Sequence, residues 1–269
     1  MTYSVVARNF SEAHDNKIHS DEIAKKYGFL GALVPGVAVF GHLVHPLVSQ
    51  YGERWLSQSL SNVRFAKPAY HGDQLTIEHA LISEQDRKQS REWRDVAFSD
   101  RSQATARDEV ISTLDSALPE QLPQAIEVAW NQHGCKPAGR PEMNWDNVVP
   151  HQPYQSWEWH IDAQSNRTAA EEVADDSSIY AEFVHPHLIL SSANGALTRE
   201  YMMPAWIHVG SELCLRSALR VGDRVTVRAM PLEKWERKGH QFLRLYLSYH
   251  RGGELTTEIV HTAIFRVAQ

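Results

Sequence analysis

Residues 34–52, VPGVAVFGHLVHPLVSQYG, decide how the rest of the chain is read. Pro35 marks a helix start, because its missing N–H is not needed there and its φ is already helical. Apolar side chains then cover nearly every face, which is the pattern of a helix inside a core rather than on its surface. Pro46 falls within the run and is expected to kink or shorten the helix. Downstream the pattern changes to alternation. LSNVRFAKPAY (60–70), GDQLTIEHALIS (72–83), REWRDVAFSD (91–100) and QATARDEVISTL (103–114) each read as a strand, with Gly72-Asp73 as the first turn. A buried helix followed by four successive strands is most simply an antiparallel sheet folded around that helix.

Upstream, Thr2 to Phe10 is β-prone and reads as a short first strand. Next come His14, Asp15, Asn16 and His19, four chemistry-capable side chains within six residues. Ser20 can cap a helix through DEIAKKY, whose first turn holds Asp21 and Glu22 at the positive helix end, and Gly28 stops it.

The plan then repeats. A shift of 150 places Val34-Pro35-Gly36 on Val184-His185-Pro186, Ser61 on Ser211, and Gly72-Asp73 on Gly222-Asp223. GDQLTIEHA falls on GDRVTVRAM, and the closing strands QFLRLYLSYHR and ELTTEIVHTAIFRV follow. Helix start, turn and strand phase are kept together, so the chain is an internal duplication. Residues 117–154 carry six of the twelve prolines and read as a linker with a short helix at QAIEVAW (124–130). The expected units are therefore 1–116, the linker 117–154, and 155–269. AQSNRTAAEEVADDSSIY, before the second helix, shows no counterpart of Asn16 to His19, so the chemistry is expected in the first half.

Composition narrows the class. Of 269 residues 42% are hydrophobic and 22% charged, with a net charge of −6. No basic surface argues for nucleic acid. No stretch reaches the roughly 18 to 20 apolar residues of a membrane span, and the start lacks a secretory signal. Cys135 and Cys214 are too few for a disulfide framework and fit a cytoplasmic location. Fifteen histidines are an excess. His42 and His45, and His185 and His187, are the pairs that invite a metal reading, but no run supplies three or four converging ligands, so no metal and no cofactor are expected.

The fold class expected is α+β, a double hotdog: two antiparallel sheets, each wrapped around a long central helix and paired within one chain. Asn16-Lys17-Ile18-His19-Ser20-Asp21 with Ala24, Val34-Pro35-Gly36, and Arg64 through Asp73 resemble the MaoC-like (R)-specific enoyl-CoA hydratases over residues 10 to 115. The resemblance implies addition of water to an enoyl thioester or its removal from a 3-hydroxyacyl thioester. It implies that His19 and Asn16 are the motif residues, that the backbone N–H groups of Gly36 and Val37 bind the thioester oxygen, and that Arg64 and Lys67 contact coenzyme A phosphates. His14 stands where the family has its catalytic Asp, so His14 or Asp15 is the partner expected for His19.

The residues suit that chemistry. Hydration needs a base, an acid and a donor to an enolate-like oxygen. An imidazole titrating near 6.5 can be either of the first two, and a helix N-terminus supplies the third. The expected partner is an acyl-CoA or acyl-carrier thioester, with coenzyme A entering only as part of the substrate, and the chain is a candidate homodimer. The alternative is a non-catalytic acyl-CoA-binding or pairing protein on the same scaffold. A hotdog thioesterase ranks third, because neither VAVFGHLVHPLV nor LILSSANGAL carries the Asp or Glu such enzymes usually place on or near the central helix.

Overall fold

The computed structural model describes residues 2–11, 16–85, 90–99, 108–114, 116–122, 130 and 139–268. His14, Asp15 and all but Trp130 of the helix expected at 124–130 lie outside the described residues. The first half contains β1 (Thr2–Val6), α1 (Asp21–Lys26), α2 (Gly36–Tyr51), α3 (Glu53–Ser57), β2 (Ser59–Arg64), β3 (Gln74–Gln85), β4 (Ser90–Ser99) and β5 (Asp108–Leu114). The second contains β6 (Trp157–His160), α4 (Ala163–Glu172), α5 (Pro186–Glu200), β7 (Ile207–Leu215), β8 (Arg224–Arg237), β9 (His240–Arg251) and β10 (Glu254–Arg266).

The strands form one continuous ten-stranded sheet in the order β1-β3-β4-β5-β2-β7-β10-β9-β8-β6. The expectation of two antiparallel sheets paired within one chain is met in part: the halves do pair, as one sheet rather than two. Each half contributes five strands in the same relative order, and β2 pairs antiparallel with β7 from Ser59↔Leu215 to Arg64↔Gly210. The physical reason lies at the edges. β2 and β7 would each end a five-stranded sheet with an open row of N–H and C=O groups, and pairing them satisfies both rows. The approach is close. A Cβ on Gly210 would lie 2.8 Å from the Val63 carbonyl oxygen, so only glycine fits at this join.

Helix α2 is the centre of the first half. Phe40, Leu43, Val44 and Leu47 are fully buried, together with polar His42 and with Pro46. The helix runs unbroken from Gly36 to Tyr51, so Pro46 does not shorten it as its sequence position suggested. Proline removes one backbone bond, while burial of the side chains on every face holds the remaining turns in place. α5 is the equivalent of α2, and the two helices touch. His187 Nδ1–H donates across that contact to the Val37 carbonyl (3.0 Å).

The duplication is visible in the hydrogen bonds. Val34 N–H donates to Ala69 O at 2.8 Å, and Val184 N–H to Leu219 O at 2.9 Å. Asp73 and Asp223 each accept from the backbone N–H three residues earlier, at 3.0 and 2.9 Å. Gly72 and Gly222 take φ of 85° and 93° in the turns between, a conformation open to glycine at little strain. The halves differ on the way into the helix. In the second half Asp162 caps α4, and buried Asn166 donates to Tyr180 O and Phe183 O and accepts from His185 N–H. That segment is devoted to bracing. Among the described residues no helix is long and apolar enough to cross a membrane.

Candidate active site

Asn16, buried, is held by the other half of the molecule. Its Oδ1 accepts from Trp206 N–H (3.2 Å) and its Nδ2–H donates to Trp206 O (3.0 Å), an amide-to-backbone pair. The same Oδ1 accepts from Ile18 N–H (3.4 Å), capping a single turn of 3-10 helix at Lys17–His19. This places His19 on a clamped turn rather than a free loop. His19 Nδ1 lies 2.8 Å from Leu33 O. A carbonyl can only accept, so Nδ1 carries the proton and the neutral ring presents its lone pair at Nε2. Asn16 Nδ2 approaches that Nε2 at 3.3 Å.

The tip of α2 faces the same space. Ala38 and Val39 N–H both fold back onto Pro35 O, leaving those of Gly36 and Val37 as the donors of the first turn with no backbone partner among the described residues. Asn16, His19 and Gly36 line one cavity of about 220 Å³ with Phe65, Lys67, Pro68, Asn194, Trp206 and His208. Val37 and Arg64 are not part of that wall. Lys67 is exposed at it, and Arg64 is exposed on β2. Thus, of the residues expected at the site, Asn16, His19, Gly36 and Lys67 come together.

The wall also carries residues that the sequence did not single out. Asp108, at the start of β5, accepts from Ala66 and Lys67 N–H through Oδ1 (2.7 and 3.0 Å). Burial pushes its carboxyl up to about 6, against the lowering effect of those two bonds. It was hidden in a stretch whose alternation reads only as strand. Asn194, Trp206 and His208 come from the second half. Burial and then the neighbouring His261 hold the His208 ring well below the usual histidine range, so it is neutral. The one signal for them is the duplication itself. Under the 150-residue shift Trp206 and His208 fall on Leu56 and Gln58, and departures from a repeat mark where one copy has acquired another task.

No family model matches the chain, and no curated protein matches it by sequence. Solved structures do. A MaoC-domain protein described as a dehydratase, from Chloroflexus aurantiacus J-10-fl, aligns with a TM-score of 0.68 at 12% identity, covering 98% of this chain and 94% of that one. A Mycobacterium tuberculosis protein with a double hotdog fold gives 0.61 at 13% identity, covering 98% and 95%. An acyl-CoA thioesterase II from Mycobacterium marinum gives 0.51 at 11% identity, covering 87% and 90%. The fold defined by the duplicated helix and the shared sheet is the double hotdog. It is the fold of MaoC-like proteins and of acyl-CoA thioesterases alike, so the reaction has to be argued from the site.

Proposed function

We propose that the protein is an acyl-thioester hydratase, or in reverse a 3-hydroxyacyl-thioester dehydratase, of the MaoC-like type. The observation that carries this reading is that His19 and the open N–H of Gly36 line one cavity. The thioester oxygen takes the Gly36 N–H at the positive end of α2, and a donor of this kind is worth about 3 to 4 kcal/mol of barrier. His19 Nε2 takes a proton from water as the water oxygen bonds to C3 of the enoyl group. The π electrons move to an enolate held at Gly36, and His19 returns the proton to C2. One water is consumed and no other reactant is needed. Nδ1–H on Leu33 O keeps the ring in the tautomer this requires. Lys67 at the mouth suits a phosphate of coenzyme A.

A second reading, thioester hydrolysis, has one observation in its favour. The cavity wall contains a carboxyl, Asp108, whereas α2 has none and α5 only Glu200 at its last residue, away from that wall. Incubation with trans-2-enoyl-CoA, followed by both loss of the conjugated enoyl absorbance and free-thiol release, separates the two. Hydration without thiol release is the expected result. Thiol release without hydration favours hydrolysis, and binding without either change means the scaffold is non-catalytic.

A further inference from the structure

The duplication gives the first cavity a counterpart, and arginines line it. A second cavity, of about 430 Å³, lies between α3 and the loop that follows β7. Its wall includes Ser57, Gln58, Arg216, Ser217 and Ala218. Under the 150-residue shift these fall on Ile207, His208, Ala66, Lys67 and Pro68, all on the wall of the first cavity. The second cavity is therefore the mouth of the duplicate site. Its inner end is closed. Phe183, Val184 and Ile189, the equivalents of Leu33, Val34 and Val39 in the first wall, are buried in the core and absent from the second wall. The Arg220 guanidinium lies over Phe183, 4.4 Å from the ring centroid. An acyl chain has no way in, and what remains is a polar mouth.

That mouth is built for negative charge. Arg216, Arg220 and Arg251 stand on its wall against one carboxylate, Glu53, in a chain whose net charge is −6. The three are neighbours. Arg251 donates to Ser217 Oγ (2.7 Å) and to Ala218 O (3.2 Å), and Asp223 Oδ2 accepts from both Arg251 (2.8 Å) and the Arg220 backbone N–H (2.9 Å). Arg216 is held by buried Glu258 (3.0 Å) and by Pro119 O. Asp223 and Glu258 are not on the wall, so they fix two guanidiniums from outside the cavity. A guanidinium has five N–H donors, and among the described residues these contacts occupy three on Arg216 and three on Arg251. Arg220 is held more loosely, by Glu53 (3.0 Å) and Glu182. The Arg220 and Glu53 side chains are 41% and 55% exposed, and so exposed a pair contributes little and gives way to a ligand.

We propose that this mouth is a second ligand site, for a phosphate group, free or esterified. The guanidiniums match phosphate oxygens in pairs, and the Ser217 hydroxyl adds a donor. The site is separate from the reaction at the first cavity and stands whether or not that cavity hydrates thioesters. With no acyl tunnel behind it, it is the weaker of the two for any ligand that fits both, and fills after the thioester cavity.

Calorimetric titration of the full chain with adenosine 3′,5′-bisphosphate at low salt, with inorganic phosphate titrated beside it, tests this. The expected result is saturable binding that weakens as salt is added. Arg220→Gln should weaken it by about tenfold or more. Glu53→Gln, which leaves all three guanidiniums in place, should tighten it by about two- to fivefold. Lys67→Gln, at the first mouth, should leave it unchanged. Tighter binding of the nucleotide assigns the site to a phosphate ester and equal binding assigns it to free phosphate; both keep the inference. No binding of either probe by the unmodified protein overturns it. So does binding that Lys67→Gln abolishes and Arg220→Gln leaves intact, which puts the nucleotide at the first mouth. If Arg220→Gln fails to fold, Glu53→Gln still decides, and unchanged or weaker binding there overturns the inference.

Discussion

His19 and Asp108 show how differently two titratable side chains of one cavity are set. His19 owes its tautomer to the carbonyl of Leu33. Its replacement by Ala removes the proton-transfer group and should lower kcat by about 10² to 10⁴ with little change in KM. Steady-state hydration rates check this. Asp108 titrates in the opposite sense from most carboxylates. Its ordinary value of 3.8 is raised to about 6 by burial. The folded chain therefore keeps this proton in a range where the unfolded chain has released it. The stability it contributes is fully present below 3.8 and is lost as pH rises through about 6. Asp108→Asn keeps an oxygen for the Ala66 and Lys67 N–H groups and no longer has to ionise. Denaturant unfolding should find it more stable than the parent at about pH 8, by roughly 2 to 3 kcal/mol at most, and little different at about pH 4.

At the scale of elements, the central helix and the strands were legible because their side chains follow one period each. The helix Gly36–Tyr51 announces itself by apolar residues on all faces, and β2 to β5 by alternation. Pairing of the two halves was expected from the duplication, but the edges that meet were not legible. Nothing in Ser59–Arg64 or Ile207–Leu215 says that their open edges meet each other, since that is decided by which edges remain once each half has folded. Gly210 is the residue on which the join depends. Gly210→Ala drives a methyl to 2.8 Å from the Val63 carbonyl, and backbone in a paired strand cannot move aside cheaply. A loss of about 1 to 3 kcal/mol is expected from thermal or denaturant unfolding. Pro46 is a different case: the sequence suggested a kinked or shortened helix, and the helix is not shortened. The site was half legible. Asn16, His19 and Gly36 stand in a recognisable run. Trp206 and His208 come to it through the Asn16 clamp, across 190 residues, and the strand join, contacts that no local pattern records.

The excess of histidines finds its account in the whole molecule. His42, His185, His208 and His261 are buried, and burial, the largest cause in each, lowers all four, His42 and His261 to about 3. They are neutral when folded and would take up protons when unfolded. These rings should therefore make stability fall as pH drops below the ordinary 6.5, by a slope of at most four protons that Asp108 offsets in part below about pH 6, and recover above it. Unfolding free energy measured across that window gives the slope, and a flat profile there would contradict the burial of these rings. The duplicated frame also has a functional consequence. Both halves possess a central helix, but only α2 has an open N-terminus beside a motif histidine; at α5 the His185 side chain accepts from His187 N–H and takes up that end. On the proposed function, one reactive centre per chain is expected, assembled from both halves. The most direct test is the hydration of a trans-2-enoyl-CoA by the intact protein and by His19→Ala, with thioester binding measured on both. The account predicts hydration by the parent, one thioester bound per chain in each protein, and at least a hundredfold loss of rate in the variant. Equal rates in the two proteins would contradict it.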